Sequence, residues 1–309
     1  MRVDDHIRKT VVFIGHSANG VFIPHGTGFI TVSVHGRDEV WQTVVTARHV
    51  IEGISAKDVL VRVNNHEGEA RTIETNKDAW IFHADQRVDV AVYPTFIPKD
   101  QFDILHFQLG TDERITDCSL SEALIEKYQI GIGDEVHLTG MFVGHLGERK
   151  NLPIVRIGTI AAMPEEPLET QYGVHDAFLI EVRSIDGLSG SPVCINLQGR
   201  VVPYTMPAQP LPHPSEPRHL TLLAGMVLGY NEVINPRDTI EIVRRRRGGK
   251  ARVDAVVPIN TGIAVVLPIW RIIEAIEQPT IKEVRNNTLE VYRKQRGRGF
   301  VPTAPSQLG

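Results

Sequence analysis

The sequence has only two cysteines, no long hydrophobic run and no excess of positive charge. Cys118 and Cys194 belong to no CxxC pair, which argues against a disulfide scaffold and a thiolate metal site. No apolar run approaches the ~18 residues of a membrane-spanning helix, so we expect no membrane partner. The net charge of -4 lacks the basic excess that is typical of nucleic-acid-binding proteins, so we expect no nucleic-acid partner either.

Targeting and cofactor motifs are also missing. The N-terminal residues carry acids and lead to no signal-peptide core, which together with the scarce cysteines favours a cytoplasmic location. There is no GxxxxGK[ST], and no GxGxxG follows a predicted strand, so nothing supports nucleotide binding. The 13 histidines form no HExxH and no close His/Cys spacing. We therefore expect no cofactor and no metal.

Short β-rich runs separated by turn residues fill most of the chain. With 42% hydrophobic residues, the chain can bury a substantial core. The first series, within residues 1–98, has six predicted strands: 11–14, 28–34, 41–46, 59–63, 80–83 and 88–93. The second series, within residues 131–278, has six more: 135–141, 155–161, 177–182, 192–195, 222–229 and 263–267. This spacing, without long helices between the strands, predicts an all-β fold of antiparallel barrels or sandwiches.

Between the two series, residues 99–130 are predicted to be a linker with a short helix. Within it, residues 119–129 show helical spacing and a serine N-cap candidate. After Pro268, residues 269–276 predict a terminal helix that Pro279 ends. Residues 279–309 are then predicted to be a polar, basic tail with little order of its own.

Two insertions interrupt the second series. Residues 203–217 contain six prolines, which predict a long surface loop. Residues 231–256 include the arginine run 244–247, which predicts an exposed hairpin tip or a mobile loop. A solvated loop is the favoured interpretation of this run, although it could also contact an acidic partner.

The segment 187–192, Gly-Leu-Ser-Gly-Ser-Pro, is the most informative for chemistry. A serine between glycines can sit in a tight turn with an exposed hydroxyl and free backbone N–H groups. Such a turn can supply both a nucleophile and the donors that stabilise a tetrahedral oxyanion. Taken alone, however, the hexapeptide fits an ordinary Gly/Ser turn better.

Two further residues change this interpretation. His49 follows the apolar strand 41–46, where a rigid scaffold could hold a general base. Asp89 enters the apolar run 90–92, and a buried acid needs a hydrogen-bond donor such as a histidine N–H. Alone, each would fit a strand-end histidine or a turn acid. Their order along the chain, with Ser189 last, is that of the chymotrypsin class of Ser-His-Asp enzymes.

At these segments the chain resembles the trypsin-like (chymotrypsin-fold) serine peptidases of bacterial type. Residues 46–49, Thr-Ala-Arg-His, resemble the family's Thr-Ala-x-His element, and residues 89–92 resemble its Asp-hydrophobic-Ala element. Residues 187–192 resemble its Gly-x-Ser-Gly-Gly/Ser-Pro element. Gly-Thr-Gly-Phe at 26–29 and Asn-Thr-Gly-Ile at 260–263 resemble two further segments of the family.

The resemblance implies two six-stranded antiparallel β-barrels with the active site between them. It implies that Ser189 is the nucleophile, His49 the general base and Asp89 the residue that orients His49. The N–H groups of Gly187 and Ser189 would form the oxyanion hole. Leu188 stands where animal digestive enzymes carry an acid that pairs with a freshly cleaved N-terminus, so that ion pair is not available here.

The same resemblance suggests where a substrate would bind. Arg183 would lie at the floor of the pocket for the P1 side chain, with Ser184 beside it, and Gly262 would line the site. A buried arginine would suit an acidic P1 residue, whereas a one-residue slip of the strand would turn Arg183 towards solvent.

The function implied is a serine endopeptidase that acts on protein or peptide substrates. The two insertions could restrict substrate access or recruit a regulatory protein partner. The alternative is a catalytically silent trypsin-like barrel that binds proteins. A third hypothesis is that a partner must first order the site.

Overall fold

Antiparallel β-strands make up most of the structure, a computed structural model that describes residues 3–35, 39–109, 119–170, 173–182, 187–197, 221–233, 239–246, 249–256 and 259–296. The strands of the first module are β1 (Val11–Ala18), β2 (Val21–His35), β3 (Glu39–Thr46), β4 (Asp58–Asn64), β5 (Ala70–Asn76), β6 (Ile81–Phe82), β7 (Ala91–Thr95) and β8 (Phe107–Leu109). Those of the second are β9 (Glu135–Gly140), β10 (Ile154–Ala162), β11 (Pro167–Thr170), β12 (Gly173–Asp176), β13 (Phe178–Glu181), β14 (Pro192–Asn196), β15 (Thr221–Val233), β16 (Thr239–Arg246), β17 (Gly249–Val256) and β18 (Ile259–Pro268).

The first module is a curled sheet of eight strands in the order β5-β4-β1-β2-β3-β7-β6, with β8 also paired to β2. It differs from the six-stranded closed barrel that the resemblance implied. Its end strand β6 is only two residues long, so it offers few backbone groups with which to close the sheet. The strand β8 lies in the predicted linker and runs parallel to β2, opposite Thr31 to Ser33.

The second module is a closed barrel of six strands in the order β10-β13-β18-β15-β14-β9. It confirms the barrel expected for this half, and every predicted strand of the second series overlaps one of its members. The hairpins β11–β12 and β16–β17 form separate two-stranded sheets. The second hairpin realises one of the two alternatives predicted for residues 231–256, although residues 247–248 at its tip lie outside the described part of the chain.

Three helices lie in segments for which the sequence made a prediction. The connecting helix is confirmed as α3 (Glu122–Tyr128), where the Ser121 hydroxyl accepts from Leu124 N at 3.3 Å. The terminal helix is confirmed as α4 (Ile269–Ile276). The tail prediction was wrong for residues 279–296, which form α5 (Pro279–Arg296).

The reason for α5 lies at its N-terminus and on its buried face. Proline is well tolerated in the first turn of a helix, so Pro279 ends α4 and also begins α5. Ile281 is fully buried, and the buried Arg285 guanidinium donates to the Glu277 carboxylate at 2.8 Å. These contacts stabilise a segment whose composition alone indicates little order.

Two short helices lie elsewhere, α1 (Asp5–Thr10) and α2 (Arg48–Glu52). The helix α1 begins where the Asp4 carboxylate accepts from His6 N at 2.9 Å. The proline-rich insertion at 203–217 falls outside the described residues. Among the helices described, none combines the length and the apolar character needed to cross a membrane.

Candidate active site

His49 and Asp89 meet because two paired strands end at the same place. In the antiparallel pair β3 and β7, Thr46 lies opposite Ala91. His49 lies three residues after Thr46, and Asp89 lies two residues before Ala91. Both residues are therefore just beyond the same end of the β3–β7 ladder. The local fold therefore brings together two residues that are 40 positions apart.

The Asp89 carboxylate accepts two hydrogen bonds from His49. Its Oδ1 accepts from the backbone N–H at 2.9 Å, and its Oδ2 is 2.5 Å from the ring Nδ1. The Asp89 side chain is 8% exposed and the His49 side chain 34% exposed. Because an ionised carboxylate can only accept, Nδ1 must carry a proton, and the neutral ring then presents a lone pair at Nε2.

Ser189 occupies a tight turn that only glycines can flank in this conformation. Gly187 and Gly190 have φ values of 93° and 85°, in the left-handed region. The N–H of Ser191 donates to the carbonyl of Leu188 at 2.9 Å and closes the turn. Within the described part of the chain, the N–H groups of Gly187 and Ser189 donate to no acceptor. Two adjacent donors are therefore available to an external oxygen.

The Ser189 hydroxyl points towards the main chain of the second barrel. Its Oγ donates to the carbonyl oxygen of Leu228, on β15, at 2.8 Å. A hydroxyl has one proton to donate, so this bond and a bond to His49 Nε2 exclude each other. The Ser189 hydroxyl must give up its bond to Leu228 before its proton can reach a base.

The turn of Ser189 lies against β2 at the same place as the helix of His49. A Cβ added to Gly26 would lie 2.7 Å from the side chain of Val50 and 3.1 Å from the carbonyl oxygen of Ser189. The backbone of β2 thus contacts His49's neighbour and Ser189 at once. The structure therefore brings all three residues of the predicted triad to one junction between the modules.

Leu188 is fully buried, as its apolar side chain requires. A Cβ on Gly140, at the end of β9, would lie 3.0 Å from the Leu188 side chain and 1.9 Å from Ser191 Oγ. The turn therefore packs directly on the second barrel. At the position where the animal digestive enzymes carry an acid, this chain therefore has a buried apolar side chain, Leu188.

A buried polar network, which sequence analysis missed, connects the segment after β9 to the first module. The Arg62 guanidinium on β4 donates to the Asn151 side chain at 2.8 Å and to the Gly147 carbonyl at 2.9 Å. Asn151 returns a hydrogen bond to the Arg62 carbonyl at 2.7 Å. Burial lowers the pKa of Arg62. Val143, in the same segment, lies 2.9 Å from where a Cβ of Gly187 would be.

A histidine pair next to the site was also missed. His25 directly precedes Gly26, and its Nε2 is 2.9 Å from Nδ1 of His16. Burial, with smaller contributions from His16 and Lys77, lowers the pKa of His25. No motif spacing in the sequence indicates this contact.

The predicted substrate-binding residues are only partly described. Gly262 lies on β18 with a φ of 79°, and its carbonyl accepts from Val182 N at 2.7 Å. Arg183 and Ser184 lie outside the described residues, so their roles stay predictions. In the described part of the chain, no three His, Cys, Asp or Glu side chains lie close enough to hold a metal ion.

Comparison with known proteins agrees with the fold. The family model described as trypsin-like peptidase domain matches residues 26–202, more than half of the chain. The chain therefore belongs to the trypsin-like peptidase domain family, and its closed six-stranded barrel and curled sheet form a chymotrypsin-like fold.

The solved structures that are similar to the chain include the following two. One is the crystal structure of the MamO protease domain from Magnetospirillum magneticum (apo form), with 14% identity, a TM-score of 0.49, and coverage of 88% of this chain and 98% of that one. The other is human heparin binding protein, with 10% identity, a TM-score of 0.45, and coverage of 93% and 96%. No curated protein sequence matches the chain.

Proposed function

We propose that this chain is a serine endopeptidase that hydrolyses peptide bonds through an acyl-enzyme on Ser189. The observation that carries the proposal is the pair of hydrogen bonds from His49 to the Asp89 carboxylate. They hold the imidazole in the tautomer whose Nε2 can accept a proton. Family membership supports protein or peptide substrates.

Acylation begins with rotation of the Ser189 hydroxyl away from Leu228. His49 Nε2 takes the hydroxyl proton while Oγ attacks the scissile carbonyl. The negative charge on the carbonyl oxygen is received by the N–H groups of Gly187 and Ser189, each worth about 3 kcal/mol in the transition state. Asp89 stabilises the imidazolium, which then protonates the departing amine.

Deacylation repeats these steps with water. The water gives its proton to His49 Nε2 and attacks the ester carbonyl, and the same two N–H groups receive the charge. Breakdown of the adduct returns the proton to Ser189 and releases the acid. Arg183, Ser184 and Gly262 are proposed to bind the residue on the acyl side of the cleaved bond.

A second candidate is a catalytically silent domain that binds proteins. The observation that favours it is the hydrogen bond from Ser189 to Leu228, because the hydroxyl is then not offered to His49. The two candidates differ in one measurable property, which is the nucleophilicity of Ser189. A domain that only binds proteins does not need a nucleophilic Ser189.

Labelling with a fluorophosphonate probe tests the proposal. We expect the purified wild type to be labelled and Ser189→Ala to be unlabelled. The matched control is Ser191→Ala, since Ser191 lies in the same turn and is fully buried. That variant should keep its labelling. Peptide-library cleavage by the wild type then gives the substrate class.

Three results would point elsewhere. Absence of labelling in every variant would support the binding domain. Labelling that persists in Ser189→Ala would place the nucleophile at another residue. Labelling of the wild type only after a protein partner is added would support a site that the partner orders.

A further inference from the structure

Thr27, on β2, contacts both halves of the proposed catalytic machinery. It is fully buried and makes four hydrogen bonds. Its N–H donates to Ser189 O at 2.9 Å, and its hydroxyl donates to Gly187 O at 2.7 Å. Its hydroxyl also accepts from Met141 N at 2.9 Å, and its carbonyl accepts from the Thr46 hydroxyl at 2.7 Å.

These bonds restrain the turn on both sides of the Ser189 N–H, one of the two proposed oxyanion donors. Thr27 holds the carbonyl groups of Gly187 and Ser189, while Ser191 N holds that of Leu188. Three consecutive peptide planes are thereby fixed. A peptide N–H points opposite to its own carbonyl, so fixing the Leu188 carbonyl between two anchored neighbours also fixes the direction of the Ser189 N–H.

The hydroxyl itself has a defined direction. Because the Met141 N–H can only donate, the Thr27 oxygen must accept there and give its single proton to Gly187 O. Met141 is fully buried and Gly187 is half-buried, and a methyl group in place of the hydroxyl would remove this hydrogen-bond partner from both main-chain groups. The Thr27 hydroxyl therefore pairs two main-chain groups that valine, the apolar residue of the same shape, cannot pair.

The fourth bond links Thr27 to the strand end that precedes His49. The Thr46 hydroxyl donates to Thr27 O from the last residue of β3, and His49 follows in the next turn of chain. The same residue thus lies between the strand end that carries His49 and the turn that carries Ser189. A displacement of one is transmitted to the other through a single residue.

We infer that Thr27 is a positioning residue that sets the oxyanion donor of Ser189 and ties it to the strand end that precedes His49. This inference rests on the proposed peptidase function for its consequence on rate. Its structural content, the restraint of the turn by the Thr27 hydroxyl, can be measured without turnover.

The test compares Thr27→Val with Thr27→Ser. Valine keeps the shape of threonine without the hydroxyl, and serine keeps the hydroxyl without the methyl group. We expect Thr27→Val to lower kcat on the order of 10- to 100-fold, less than outright removal of an oxyanion donor. KM should stay within about twofold, because the loss concerns the transition state. Thr27→Ser should retain most of the wild-type kcat.

A second readout separates this inference from the proposed function. Amide hydrogen exchange of the peptide covering 187–191 should be faster in Thr27→Val than in the wild type and close to normal in Thr27→Ser. Thermal unfolding confirms that each variant is folded. If Thr27→Val does not fold, Thr27→Ala removes the hydroxyl without placing a methyl group against the Gly187 carbonyl.

The outcomes are distinguishable. Unchanged exchange in a folded Thr27→Val would overturn the inference, whether or not the wild type is active. Faster exchange with an inert wild type would retain the restraint and reject the peptidase. Faster exchange with an unchanged kcat would reject the positioning role. An equal loss of kcat in Thr27→Ser would mean that packing of the methyl group, not the hydroxyl, is responsible.

Discussion

Replacement of Asp89 by asparagine gives the sharpest test of how His49 is held. The carboxylate offers one oxygen to the His49 backbone N–H and the other to the ring Nδ1. An asparagine side chain of the same shape has one acceptor oxygen and one NH₂ group. It therefore cannot satisfy both donors in place.

Either orientation of the asparagine has a defined consequence. If its oxygen stays on the backbone N–H, its NH₂ faces Nδ1, and the ring must move its proton to Nε2, where it can no longer accept from Ser189. If the amide is reversed, the half-buried backbone N–H of His49 faces another donor, at a cost of about 1 to 3 kcal/mol. The first orientation is favoured, since a change of tautomer avoids that cost.

The expected loss is large in rate and small in stability. A histidine held in the wrong tautomer lowers kcat by about 10⁴-fold in enzymes with this triad. That factor corresponds to about 5 kcal/mol of activation free energy. The free energy of unfolding should change by only about 1 kcal/mol, since one hydrogen bond is exchanged for another.

The assay is the second-order rate of fluorophosphonate labelling together with turnover of a cleaved library peptide. The control is Asp85→Asn, which changes a carboxylate in the same loop that pairs with Arg87 at 2.7 Å and not with His49. Asp85→Asn should label at the wild-type rate. A folded Asp89→Asn whose rate stays within about tenfold of wild type would refute the orienting role of Asp89.

Two further perturbations have directions set by the structure. A Cβ at Gly190 would lie 1.9 Å from Thr27 O, and the residue has a φ of 85°, so Gly190→Ala should abolish labelling of Ser189 and lower Tm by several degrees. The control is Gly68→Ala, because Gly68 has a φ of 73° but nothing lies within 4 Å of its added Cβ. This variant should lose only the backbone strain energy of about 1 to 2 kcal/mol. An equal loss of stability in both variants would show that the contact of the Gly190 Cβ with Thr27 O is not responsible. Burial lowers the pKa of His137 to about 4 in the folded protein, against about 6.5 unfolded, so the unfolded state binds the extra proton as the pH falls. Between pH 6.5 and 4.5 the free energy of unfolding should then fall by about 2 to 3 kcal/mol more in the wild type than in His137→Leu, as measured by urea titrations, and an equal slope in the two proteins would contradict this.

The contact between His49 and Asp89 and the turn of Ser189 could be predicted from the sequence because each residue lies in a short local signal. The apolar strand before His49 and the apolar run after Asp89 are visible as hydrophobic patterns, and the glycines around Ser189 indicate a left-handed turn. Chain order then distinguishes one arrangement of these signals from its alternatives. The pairing of Thr46 with Ala91 supplies the physical link, since it aligns the ends of the two strands.

Features that depend on length or on distant contacts could not be predicted in this way. The strand β8 has three residues, too few for a periodic pattern, and it is defined by its pairing with β2. The helix α5 has a polar composition and is stabilised by a few buried contacts such as that of Ile281. Closure of a barrel depends on whether its end strands can pair, which a single strand's sequence does not encode.

The role of Thr27 shows a more general limit. Its partners are Met141, 114 positions away, and Gly187, 160 positions away, and both contribute backbone groups. Backbone donors and acceptors occur in every residue, so they leave no pattern in the sequence. The visible trace is indirect: Gly26 and Gly190 have no side chain because the backbones of β2 and the Ser189 turn lie too close for a Cβ. A threonine between two glycines at the start of a predicted strand is therefore a better indicator of a backbone junction than of a loose segment, and here the junction is where the two modules meet.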